Sequence, residues 1–121
     1  MVDMDMVDMV IQVPNQLAEQ IRPFNSYLPT VLQLTFLGLR TPAVETATEI
    51  IEFLSTSPSA PDILNYHVSE RAQGRLQRLL ALNTAGLLSP PEQLELDEME
   101  KLEHVIIMLK TQLAQQQSRT N

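Results

Sequence analysis

His67 and His104 are the only histidines in this 121-residue chain, and the only side chains that titrate near neutrality without a large shift in pKa. His104 follows Glu100 and Glu103, so an acid/base or metal pairing across one helical turn is the first chemistry to consider. A helical Glu-x-x-His ligand pair would need an acid at position 101, where Lys101 stands, and no second copy of that motif exists. His104 therefore reads as a surface or interface histidine, and His67, beside Tyr66, reads the same way. The acids Glu92, Glu95, Asp97, Glu98, Glu100 and Glu103 imitate a cation site. Their spacing is that of a solvated helix face near an N-terminus, where the helix dipole favours negative charge. Gly38, Gly74 and Gly86 stand too far apart for a phosphate loop. The chain has no cysteine, which removes disulfides and thiolate metal sites. Catalysis needs polar groups converging with tuned pKa values. Nothing here does so, and the sequence reads as a non-enzyme with no metal, cofactor or catalytic residue.

The elements that would position these side chains are mainly helical. Met9, Ile11 and Val13 alternate with Val10 and Gln12, predicting a short strand with one apolar face. Gln16 to Arg22 predicts a short helix that Pro23 stops. Ser26 is placed to cap a second helix, with Pro29 in its first turn and Val31 to Leu39 apolar on nearly every side. Such a helix belongs at the centre or at a subunit interface. Thr41-Pro42 opens a third helix, in which Val44, Ala47, Ile50, Ile51 and Leu54 recur at helical spacing and Glu45, Glu49 and Glu52 point outward. Ser55 to Pro61 reads as a turn or linker, followed by one helical turn over 62–67.

Two longer amphipathic helices follow, Ser69 to Ala85 and Pro90 to Gln117. Gly86 sits where a helix ends in the left-handed conformation. Ser89-Pro-Pro-Glu92 matches a capping box with proline at the first helical position. Met99, Leu102, Ile106, Leu109 and Leu113 step by 3, 4, 3 and 4, a heptad seam. The connection is short, so the arms should run antiparallel, with Arg75 and Arg78 near Glu95 and Glu98. The expected fold is mainly α: a short N-terminal strand, about four to five helices and a C-terminal antiparallel helical hairpin. Its expected divisions are a dimerisation module over 1–56, a linker over 57–68 and the hairpin over 69–121.

The net charge of −7 opposes a surface built to neutralise phosphates and suits a basic protein partner. No apolar run is long enough to span a bilayer, and the acidic N-terminus is no secretory signal, so the expected location is the cytoplasm, with no membrane role. Glu92, Glu95, Glu98 and Glu103 are the candidate partner-binding residues. Met9, Ile11, Val13, Leu32 and Phe36 are the candidate dimerisation residues of a homo-oligomer.

Residues 10–39, VIQVPNQLAEQIRPFNSYLPTVLQLTFLGL, resemble ribbon-helix-helix proteins, the fold of many bacterial antitoxins and small repressors. The shared features are a short strand, a proline at the strand-to-helix junction, a short helix with Leu-Ala and a serine-capped second helix. The resemblance covers about a quarter of the chain and implies a dimer with paired strands and intertwined second helices. In that family outward strand residues read bases. Here the outward face offers Asp8, Val10 and Gln12, and Gln12 alone is a credible base reader. Residues 79–110 are similar to a segment of small bacterial proteins of unassigned or antitoxin-like type, with a leucine-rich helix and an Asn-x-x-Gly-x-Leu turn before an acidic Glu-Leu-Asp-Glu helix. Three functions compete: an antitoxin-like or accessory protein that masks a partner, such as a basic toxin or nucleic-acid-associated protein; a DNA-binding autoregulator using Gln12; and an assembly subunit of a larger complex.

Overall fold

The computed structural model describes residues 6–120. Residues 6–14 carry no regular secondary structure, and no strand is present among the described residues. The expected strand over Met9, Ile11 and Val13 is therefore corrected. A lone extended segment has no neighbour to satisfy its ladder hydrogen bonds, so alternation by itself does not make a strand.

The chain then runs α1 (Asn15–Ile21), a 3-10 helix (Arg22–Tyr27), α2 (Leu28–Thr35), α3 (Ala43–Leu54), α4 (Ala60–Leu64), α5 (Glu70–Thr84) and α6 (Pro90–Thr120). Pro23 ends α1 as an α-helix but opens the 3-10 helix, where its missing N–H costs nothing. Asn25, at φ 53°, kinks the segment, and α2 starts at Leu28 with no side-chain cap, so Ser26 is not its N-cap. α2 stops at Thr35, short of the expected Leu39. Gly38 (φ 65°) takes the left-handed turn that follows.

The later boundaries lie where capping chemistry puts them. The Ser69 side chain accepts the Ala72 N–H at the start of α5. At its end Gly86 has φ 72°, its N–H reaches the Asn83 carbonyl, and the Leu87 N–H reaches Leu82. These bonds make the Schellman pattern. Glu92 Oε1 accepts from the Ser89 N–H (3.0 Å) and hydroxyl (2.9 Å), and the Glu92 N–H points back to Ser89 Oγ, which closes the capping box of α6. A second capping box, Ser59 with Asp62, starts α4 earlier than the 62–67 turn read from sequence.

α6 is the hub. Helices α2, α3, α4 and α5 all pack against it. Its buried side chains Met99, Leu102, Val105, Leu109 and Leu113 share one core with Tyr27, Val31 and Leu34 from the 3-10/α2 region, with Ile50 and Leu54 of α3, and with Ile63 of α4. The N-terminal elements and the C-terminal helices thus share one core through α6. The segment 57–68, expected as a linker, carries α4 and the buried Pro58 and Ile63. Tyr27 donates its hydroxyl to the Pro58 carbonyl at 2.9 Å, tying the two regions. α5 packs on α6, with Leu79 wholly buried and Leu96 nearly so. Leu80, expected on the same face as Leu79, is exposed instead. No helix is long and apolar enough to cross a membrane among the described residues.

Candidate functional site

The acidic run 92–103 does not form one outward face. A helix turns 100° per residue, so acids at 95 and 98 share the phase of Met99, Leu102 and Leu109 and face inward. Glu95 is 4% exposed and Glu98 is 3% exposed. Both were expected on a partner-binding surface, and both are internal. Glu95 accepts a two-pronged bond from Arg75, with Nε and Nη2 each 2.8 Å from a carboxylate oxygen. That fork holds the Arg75 guanidinium above its ordinary pKa, the Glu95 hydrogen bond acting against the opposing effect of burial.

Glu98 reaches the opposite neighbour. Its carboxylate accepts the Arg40 N–H (2.9 Å), the Thr41 N–H (3.0 Å) and the Thr41 hydroxyl (2.6 Å), while Thr41 Oγ1 accepts the Ala43 N–H. α6 therefore clamps the start of α3 through one carboxylate. Burial on its own pushes the Glu98 carboxyl up. The Thr41 hydroxyl, the backbone N–H groups of Arg40 and Thr41 and the charge of Lys101 outweigh it and hold the group below the usual carboxylate range. Arg78, expected to meet Glu98, makes no ion pair among the described residues. It lies near enough to Glu92 to help hold that carboxyl low, after the backbone and hydroxyl of Ser89.

Of the four expected partner residues, Glu92 is half-buried in its capping box and Glu103 is exposed. Asp97, Glu100 and His104 stand on the solvent side of α6, and Glu103 borders the cavity beside Leu102 and Ile106. His104 and His67 are both exposed. No group of three or more His, Asp or Glu side chains could hold a metal ion among the described residues. No buried side-chain N or O atom lacks a hydrogen-bond partner there either.

The second candidate set lies on the N-terminal segment and α2. Met9 and Ile11 are exposed, Val13 is half-buried, and Leu32 and Phe36 stand one helical turn apart on the outer side of α2. Phe36 is 82% exposed and Val10 is 96% exposed. Met6 and Val7 are exposed as well. Gln12 is exposed among these apolar neighbours.

A third feature had no counterpart in the sequence reading. α3 and α5 flank α6 with a groove of about 600 Å³ between them, floored by Ala43, Thr46, Ala72 and Met99. A second cavity of about 260 Å³ continues along α6, between Ile50, Leu76, Leu102 and Ile106. Thr46 and Met99 line both. The signal for it was the small side chains Ala43 and Ala72, but helical periodicity does not tell which two helices leave a gap. Tyr66 stacks on Phe53 (centroids 4.2 Å apart) at the far end. Burial, with the charge of Glu49, raises the Tyr66 phenol.

Compared with protein-family models, with curated proteins and with solved structures, the chain has no match.

Proposed function

We propose that this chain is a non-catalytic interaction protein, an antitoxin-like or accessory subunit that binds a protein partner through its helical surfaces. The observation that carries the reading is where the side chains are used. Its best-placed polar groups are engaged in the fold: Glu98 on Thr41, Glu95 on Arg75, and Glu92 on Ser89. Large apolar groups stand in solvent, from Met6 to Ile11 and at Leu32, Phe36 and Leu87. Exposed apolar side chains in this number favour association where they lie together.

In this reading α5 and α6 form an antiparallel hairpin, pinned by Arg75 and Glu95. Met9, Ile11, Val13, Leu32 and Phe36 join two copies of the chain, and the remaining acidic surface takes a basic partner. Charge complementarity speeds such an encounter and weakens with salt. The test is co-purification with the tagged full-length chain. A stoichiometric protein should be recovered at low salt and lost at high salt. Recovery of the chain alone under both conditions would refute the reading.

A further inference from the structure

We propose that the groove between α3 and α5 is the docking site for a basic amphipathic helix of the protein partner, an assignment that rests on the interaction reading above. α3 and α5 both lie on α6, and neither packs on the other as it does on α6. What bridges them is the surface ion pair of Arg71 with Glu45, 3.4 Å long with both side chains well exposed. Pairs of this kind hold weakly and open easily. The layer of helices around α6 thus leaves an open gap of about 600 Å³ between α3 and α5.

Its length suits a helix. From Glu95 to Lys110 the lining residues of α6 span about 22 Å, roughly four turns. Its small-residue floor at Ala43, Ala72 and Thr46 permits close backbone approach, and the second cavity has room for a large apolar anchor beside Leu102 and Ile106. This is the setting of helix-in-groove recognition.

Charge selects the occupant. Two cations of the lining are ion-paired, Arg71 with Glu45 and Arg75 with Glu95, and Lys110 Nζ donates to the Tyr66 carbonyl at 2.7 Å. Glu49, Glu52 and Glu103 make no ion pair among the described residues. The lining carries Glu45, Glu49, Glu52, Glu95 and Glu103 against Arg71, Arg75 and Lys110, so its balance is negative, which calls for lysine or arginine beside the apolar face of the incoming helix. It disfavours the N-terminal segment of a second copy, which carries Asp3, Asp5 and Asp8 and no cation.

The probe is a synthetic Leu/Lys amphipathic peptide of about 18 residues, long enough to span the groove as a helix, with a Leu/Glu peptide of the same pattern as control. Binding to the full chain is read by fluorescence anisotropy and by the methyl resonances of Met99, Ala72 and Thr46. The basic peptide should bind and shift all three methyls; the acidic one should do neither. Glu49→Lys with Glu52→Lys should weaken binding about tenfold or more, equivalent to about 1.4 kcal/mol. The milder Glu49→Gln with Glu52→Gln should fall between, and Asp97→Lys with Glu100→Lys, on the solvent side of α6, should leave it unchanged. Absence of binding, unmoved methyls or equal weakening by the Asp97/Glu100 pair would overturn the proposal. A natural partner that the Glu49→Lys/Glu52→Lys chain still retains would remove the groove and leave the interaction reading standing.

Discussion

Replacing Glu98 by alanine should be among the most damaging polar substitutions in this chain, although nothing in its composition sets that glutamate apart from its neighbours. The carboxylate is 3% exposed and accepts three hydrogen bonds from Arg40 and Thr41. Bonds to an ionised acceptor contribute about 1.5 kcal/mol or more each when buried, and less where water replaces them. Arg40 is exposed and Thr41 half-buried, so three such bonds discount to a loss of about 3 kcal/mol on Glu98→Ala. In a domain of this size that lowers the midpoint of thermal unfolding by about 10 °C. Glu98→Gln keeps the volume but loses the charge, and should cost about half as much. The assay is urea and thermal unfolding followed by helical circular dichroism, with the exposed Glu100→Ala as control, expected within about 0.5 kcal/mol of the parent. A double-mutant cycle with Thr41→Val should give a coupling of about 1 kcal/mol, separating the Glu98 bond from the one Thr41 receives from Ala43. If Glu98→Ala and Glu100→Ala destabilise equally, the clamp between α6 and α3 does not exist and the argument fails.

Other consequences can be checked in the same samples. Arg75→Ala strands the buried Glu95 and should cost about 2 kcal/mol, below the value for a fully buried pair because the Arg75 side chain is 39% exposed. Arg78→Ala should change unfolding by less than about 0.5 kcal/mol. Leu79→Ala, at a wholly buried position, should cost about 3 kcal/mol by the same melts. The Glu98 carboxyl lies below its unfolded value of about 4.3, so its contribution is complete above that pH and is lost as pH falls through the folded value. The midpoint of the parent should therefore drop below about pH 4 more steeply than that of Glu98→Gln. Phe36→Ser with Leu32→Ser should reduce the solution mass toward that of one chain while leaving helical dichroism unchanged, as measured by light scattering.

Local chemistry was the legible part of this chain. Ser69, Gly86 and the Ser89–Glu92 box mark the ends of α5 and α6 by bonds within a few residues, and those bonds form as read. Glu95 and Glu98 are buried although the run of acids reads as one solvated face. The helical phase was already in view, since Glu95 stands four residues before Met99 and Glu98 four before Leu102. The segment 57–68 was less legible for a different reason. A Ser/Pro-rich stretch reads as a linker, yet Pro58 and Ile63 bury against the rest of the core, and only the three-dimensional packing reveals that. The strand over Met9 to Val13 depends on a pairing partner that a single chain does not supply. The groove depends on which helices leave a gap around α6, which no local pattern encodes.

The account rests on this chain being one half of a complex, and native mass spectrometry of the protein isolated gently from its own cells measures that directly. It predicts a stoichiometric assembly in which the 13.7 kDa chain is joined by a second, more basic polypeptide. A spectrum containing only the 13.7 kDa species and its whole-number multiples would contradict it.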